Sequence, residues 1–193
     1  MPPGIAVEDF RVAQPFPSGD RHIILCSGRL EPYKQLDRVI AAMPHLDDRF
    51  ELIVIGDGSA RPSLEAQAQR LGLSGMVRFV GRVDDATLRR WVRTASVYVT
   101  LSRHEAYGLS AVEALAAGAQ VLTSAIPAYQ EQARRFGPGR ITLLEEPYTP
   151  RDVAARIACL AAHAPSTRDA VLDVPSWERV VAATLAAYRA VTP

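Results

Sequence analysis

Lysine is nearly missing from this chain. Of its 22 lysine and arginine residues only Lys34 is a lysine, a bias expected of a GC-rich genome, and this makes that ammonium more informative than any single arginine. A receiver-like α/β domain would need a lysine late in the chain and an acidic cluster at its strand ends; the late lysine is absent. Cysteine is scarce too. Cys26 and Cys159 are too few for a disulfide framework or a metal cluster, and Cys26 sits in the apolar run Ile23-Ile24-Leu25-Cys26, as a core residue does. No apolar run reaches the roughly 18 residues of a membrane span. The N-terminus has no signal-peptide core, so the compartment expected from the sequence is the cytoplasm. Net charge is +1, which gives no global reason to expect nucleic acid or an anionic membrane as partner.

What is present is an alternation of short apolar runs and helical patterns. Strands are predicted at His22–Cys26, Glu51–Ile55, Val77–Val80, Ser96–Leu101, Gln120–Thr123 and Arg140–Leu144. Several are apolar nearly throughout, as strands covered on both faces are. Helices are predicted near Leu36–Met43, Ser63–Leu71, Asp84–Thr94, Leu109–Ala117, Tyr129–Arg135 and Pro150–Ala162. A last one runs from about Trp177 to Ala190, with Ser176 as N-cap and Pro175 before it. Residues 164–175 read as a polar connector, and Trp91, Trp177 and Tyr188 as packing residues. Strand and helix in alternation imply right-handed βαβ units. The fold class is therefore α/β: one Rossmann-like, doubly wound parallel sheet of about six strands with helices on both faces. Such sheets bind ligands beyond the carboxyl ends of their strands, which selects the loops at 27–34, 56–59, 81–84, 102–108 and 124–128.

Those loops hold the chemically capable residues. After the first strand come Gly28, Arg29 and Lys34; glycine lets backbone approach a ligand, Arg29 can grip phosphate oxygens bidentately and Lys34 adds a point charge. The plain alternative is two solvated cations around a helix start. Glu105 and Glu113 lie eight positions apart, with Gly108 between them where loop becomes helix. The amides of Gly108, Leu109 and Ser110 would favour an anion. Glu113, flanked by Ala111, Val112, Ala114 and Leu115, needs partners if ionised, and ribose hydroxyls would serve; the alternative is a surface glutamate. Glu105 could equally cap the helix or face solvent. His104 could be a base or simply a loop histidine, and its neighbours Arg103 and Glu105 favour the solvated reading. Gly56-Asp57-Gly58-Ser59 is a tight turn or a backbone approach to a ligand, and it is not the GxGxxG of a nicotinamide site. The Gly81-Arg82-Val83 loop could receive a base, with Arg82 near phosphate or sugar.

With these residues in place, the chain resembles the C-terminal, donor-binding half of a GT-B fold glycosyltransferase of the large family 4, the retaining group 1 glycosyl transferases. The resemblance runs over nearly the whole chain. Pro3-Gly4-Ile5 through Phe10 is similar to the family's linker, Gly28-Arg29-Leu30…Lys34 to its phosphate-binding segment, and Val54-Ile55-Gly56-Asp57-Gly58 to its second strand and turn. Phe79-Val80-Gly81 resembles the strand before the base loop. Glu105-Ala106-Tyr107-Gly108-Leu109…Glu113-Ala114-Leu115-Ala116-Ala117-Gly118 carries the E-x7-E signature. Ala125-Ile126-Pro127-Ala128-Tyr129-Gln130-Glu131 and Ser176-Trp177-Glu178-Arg179-Val180 match the segments that follow. Gln35 departs from the pattern, standing where the family commonly has glycine, and residues 164–175 are shorter than the family's usual helix there.

The resemblance implies Glu105, Arg29 and Lys34 as catalytic residues. Arg29 and Lys34 would hold the diphosphate, Glu113 the ribose, and Gly81, Arg82 and Val83 would flank the base. Glu105 and the amides of Ala106, Tyr107, Gly108 and Leu109 would face sugar and phosphate, with Gly28 beside them. The donor would be a UDP- or GDP-linked hexose, with no metal or other cofactor required. Residues 1–15 would be a linker remnant and 16–193, with a C-terminal helix at about 176–191, the donor domain. The partner would be a missing N-terminal acceptor-binding half, through which any peripheral contact with the inner membrane face would come. The isolated chain would bind nucleotide and transfer little. The alternatives are a non-catalytic nucleotide-sugar module or another GT-B enzyme such as an epimerase. A glycan phosphorylase would need a cofactor lysine, and Lys34 is committed to the phosphate segment.

Overall fold

Apolar runs that read as strands covered on both faces become such strands in the computed structural model of the chain, which describes residues 6–137, 139–163 and 177–191. The strands are β1 (His22–Ser27), β2 (Phe50–Ile55), β3 (Val77–Gly81), β4 (Val97–Thr100), β5 (Gln120–Ser124) and β6 (Ile141–Leu144). They form one six-stranded sheet in the order β3-β2-β1-β4-β5-β6, and every pairing is parallel. The order reverses between β1 and β4, so the crevice above that pair is the switch point of a doubly wound sheet.

Helices α1 (Val7–Val12), α2 (Leu36–Ala42), α3 (Arg61–Arg70), α4 (Asp85–Thr94), α5 (Leu109–Ala116), α6 (Pro127–Phe136), α7 (Pro150–Ala162) and α8 (Trp177–Val191) complete the described chain. Because side chains alternate along a strand, Ile24, Cys26, Leu52 and Val54 join α2, α3 and α7 in one apolar layer. Ile23, Leu25, Ile53 and Ile55 join α1, α4, α5 and α6 in the other. Side-chain oxygens fix two helix starts. Asp84 Oδ1 accepts from Thr87 N at 2.7 Å, and Thr149 with Asp152 closes a reciprocal capping box at α7. Each such cap contributes about 1 kcal/mol.

The stretch read as linker contains α1, which packs against α4 and α5 and buries Phe10. The expected N-cap Ser176 and the 164–175 connector lie outside the described residues. Trp91 is a packing residue, as expected, but Trp177 and Tyr188 are 55% and 67% exposed. With Val181 and Leu185 they form an apolar stripe along α8 at helical spacing, so periodicity marked the face without saying what covers it. No helix among the described residues is long and apolar enough to cross a membrane.

Candidate functional site

The crevice at the switch point is a cavity of about 940 Å³. Its first wall is the loop after β1. Gly28, at φ +129°, donates its amide to Ile55 O (3.0 Å), and Leu30 N donates to Asp57 O (3.0 Å), so the loops after β1 and β2 run against each other. Ser59 Oγ donates to Glu31 Oε2 (2.6 Å) and closes the same seam at its outer end. Arg29 leans over this wall with Nη2 donating to Tyr33 Oη (3.2 Å), and it has no carboxylate within 4.0 Å among the described residues.

The chain then turns through Pro32–Lys34 into Gln35, which is left-handed at φ +51° and only 5% exposed. With the amide oriented by its neighbours, Gln35 donates to Leu101 O (2.8 Å) and accepts from Arg103 Nε (3.1 Å) and Arg38 Nε (3.0 Å). The residue that departs from the family's glycine thus occupies the glycine-like conformation and ties this loop to the one after β4. Arg103 N donates to Tyr33 O (2.9 Å), and the His104 ring stacks on Tyr33 at 4.4 Å. This places Lys34 inside the cavity, with Nζ donating to Glu105 Oε1 at 2.5 Å.

Glu105 opens the second wall. The loop from Ala106 to Gly108 ends in a left-handed Gly108 (φ +75°, ψ +48°), the N-cap of α5. Leu109 and Ser110, the first two residues of that helix, line the cavity, and amides at a helix start favour negative charge beside them. Glu113 follows within the same helix and is half-buried. Burial pushes its carboxyl above the ordinary value, with the charge of Arg89 pulling it down and that of Asp85 pushing it up. Beneath lies Tyr98, whose hydroxyl meets Ser27 Oγ at 3.1 Å and is raised by burial to about 12. The third wall is Arg82, Val83 and Leu88.

The cavity therefore gathers Gly28, Arg29, Lys34, Arg82, Val83, Glu105, Ala106, Tyr107, Gly108, Leu109 and Glu113. Gly81 stands one residue behind the wall; it ends β3, and its carbonyl accepts from Gly56 N (2.8 Å). Ser27, Gly56, Asp57 and Ser110, from the loops and the helix start singled out in the sequence, also line the cavity, as do Ile55 and Leu88, which were not expected there. The Gly56-Asp57 turn carried a signal, since it follows a strand; Ile55 and Leu88 carried none, because an apolar wall residue reads like core. Three cations, a helix N-terminus and the carboxylates of Asp57, Glu105 and Glu113 around one space can hold an anion beside the cations and accept from hydroxyl groups at the carboxylates. Among the described residues no three His, Cys, Asp or Glu side chains are grouped to hold a metal ion.

The raised carboxyl of Glu113 has a consequence for stability. A carboxyl whose folded pKa lies above its unfolded one contributes stability that is complete below the ordinary value of 4.5 and is lost as pH rises through the folded value. Glu113→Gln is therefore expected to raise the thermal midpoint at neutral pH, with the difference closing as the pH is lowered to 4.5. Midpoints of both proteins measured across that range check it, and a gain that persists unchanged in acid would place its cause elsewhere.

Residues 8–170 match the family model described as glycosyl transferases group 1. The D-inositol 3-phosphate glycosyltransferase of Geodermatophilus obscurus is 33% identical over 98% of this chain and 46% of its own length. The protein of the same name from Streptomyces coelicolor is 34% identical over 75% of this chain and 39% of its own. The chain thus spans less than half the length of these curated relatives. Among solved structures, sucrose-phosphate synthase from Thermosynechococcus elongatus aligns with a TM-score of 0.79 at 23% identity, over 98% of this chain and 51% of that one. HepE of Anabaena, solved in complex with UDP, aligns with a TM-score of 0.75 at 20% identity, over 95% of this chain and 56% of the other. At these identities the likeness is one of fold, and it agrees with the expected doubly wound sheet.

Proposed function

We propose that this chain, which belongs to the group 1 glycosyl transferases, is the C-terminal, donor-binding half of a retaining enzyme that moves a hexosyl group from a nucleoside diphosphate sugar to an acceptor hydroxyl. The observation that carries this is the cavity itself. Residues drawn from four separate strand-end loops meet around one space, and they bring the cations Arg29, Lys34 and Arg82 and the carboxylates Glu105 and Glu113 to it. Arg29, Lys34 and the first amides of α5 hold the diphosphate and take up the charge of the leaving group, which supplies the stabilisation that a divalent ion would otherwise give. Glu113 accepts from ribose hydroxyls, and Arg82 with Val83 flanks the base. Departure of the diphosphate precedes attack from the same face, and the leaving phosphate oxygen takes the acceptor's proton, so the anomeric configuration is kept.

The relatives are more than twice as long as the matched region, and the acceptor belongs with the half of such a protein that this chain does not span. The chain alone is expected to bind donor and transfer little. Calorimetric titration with UDP, GDP and ADP, with and without magnesium, tests the reading. Saturable, magnesium-independent binding of one of them is the expected result. UDP comes first because HepE was solved with it. Absence of binding to all three, both here and in a longer protein carrying this chain, would sink the donor assignment.

A further inference from the structure

The Lys34–Glu105 pair accounts for one side of the Glu105 carboxylate. The other side leads into the protein through a line of hydroxyls. Ser102, completely buried, donates from Oγ to Glu105 Oε1 at 2.8 Å. Its Oγ lies 3.2 Å from Thr100 Oγ1, which lies 3.2 Å from Tyr129 Oη, and Tyr129 is also completely buried. We propose that Ser102 is a positioning residue for Glu105, the last link of a one-way hydroxyl chain from Tyr129 through Thr100 that pins one carboxylate oxygen so that the other faces the ligand.

The direction of the chain follows from its end. An ionised carboxylate only accepts, so the Ser102 proton points to Glu105, and Ser102 is left with lone pairs. Thr100 must then donate to Ser102, and Tyr129 must donate to Thr100. Burial holds the Tyr129 phenol above its ordinary value, which keeps the proton that starts the chain. Two donors, Ser102 Oγ and Lys34 Nζ, converge on Oε1. Oε2 has no hydrogen-bond partner among the described residues, and the side chain, 16% exposed, lines the cavity. A carboxylate fixed at one oxygen offers the second as an acceptor of set direction. It repels phosphate and suits a hydroxyl, here one on the donor's sugar.

Tyr129 also acts on the other end of the same loop. A Cβ on Gly108 would lie 2.4 Å from its ring, and Gln132, one turn on, donates to Tyr107 O and to Gly108 O (3.4 Å). Ser124 Oγ donates to Ser102 O at 2.5 Å and anchors the Ser102 backbone. Helix α6 thus holds the Glu105–Gly108 loop at both ends, through a ring at Gly108 and a hydroxyl chain at Glu105.

The role rests on the donor-pocket reading, and the test separates the two. Dissociation constants for UDP and UDP-glucose are measured for the wild type, Ser102→Ala, Tyr129→Phe, Glu105→Gln and the Ser102→Ala/Glu105→Gln double variant, each with its thermal midpoint. Ser102→Ala is expected to weaken UDP-glucose about tenfold, the loss of one hydrogen bond to a charged group, and to leave UDP within about twofold. Tyr129→Phe, which removes only the first hydroxyl, moves UDP-glucose in the same direction by a smaller factor. In the Glu105→Gln background Ser102→Ala adds nothing. A purely structural serine would instead lower both ligands together with the midpoint, and that result, or additive losses in the double variant, overturns the proposal. A wild type that binds neither ligand removes the donor pocket and this role with it, whereas binding of both with equal loss in Ser102→Ala removes this role alone.

Discussion

Gly56→Ala is expected to destabilise the chain strongly, and far more than a methyl added at Gly75. A Cβ built on Gly56 would lie 1.8 Å from Gly28 O, a backbone atom that has no side chain to move aside, and Gly56 sits at φ +124°. Both faults act at the seam where Gly28 N meets Ile55 O and Gly56 N meets Gly81 O. Strained backbone of this kind costs about 1–3 kcal/mol, and parting the seam adds to it. A total of about 3–5 kcal/mol falls in the diagnostic tail of point-mutant effects and corresponds to a midpoint lower by on the order of 10 °C. Nucleotide affinity should fall with it, since Gly28 and Arg29 ride on the same seam. Gly75→Ala is the control, because a Cβ there meets nothing within 4 Å and no positive φ is involved. Equal midpoints for the two variants would show that the close approach of the first two loops is not what holds this end of the sheet.

The second large effect concerns the diphosphate. Arg29→Ala and Lys34→Ala are each expected to cost about 1.5–3 kcal/mol of UDP affinity, roughly 10- to 150-fold, as charge-assisted bonds are lost. The two are not equivalent. Arg29 is exposed and donates to Tyr33 Oη, so its loss removes one cation from the rim. Loss of Lys34 also strips the Glu105 carboxylate of its counter-charge, at 2.5 Å in the free site, and leaves that negative charge beside the phosphate. Lys34→Ala should therefore be the weaker binder of the two, and adding Glu105→Gln should restore part of its loss. Calorimetry on the three variants decides. Unchanged UDP binding in both single variants would remove the phosphate assignment, and a double variant weaker than Lys34→Ala would remove the argument from repulsion.

Much of this architecture was legible because the sheet is covered on both sides. Ile23 and Leu25 face one layer and Ile24 and Cys26 the other, so β1 reads as one apolar run. Element ends were less legible. Helices α3 and α6 begin at Arg61 and Pro127, two residues before the expected Ser63 and Tyr129, and both have proline in the first turn. Proline punctuates a sequence, yet at that position its missing N–H costs nothing and its φ suits the helix. Helix α1 is six residues long and buries one aromatic, too little for periodicity to register. In the site, charge was the legible part: Arg29, Lys34, Arg82, Glu105 and Glu113 all reach the cavity. Ser102 gave no such signal. A small hydroxyl residue in a loop looks like any turn residue until the register of β4 and the packing of α6 bring Thr100, Tyr129 and Glu105 to it.

The chain's sole ε-amine lies inside the cavity rather than on the surface where lysines usually crowd. Reductive methylation with isotope-labelled formaldehyde keeps the charge of an amine, and in this chain it would label only Lys34 and the N-terminal amine. The resulting carbon–proton correlation spectrum would hold two resonances, one of them sited where the diphosphate is expected. Occupancy of the pocket, and the exchange of Lys34 between Glu105 and a phosphate, would then be read from a single peak without assignment of the rest of the protein.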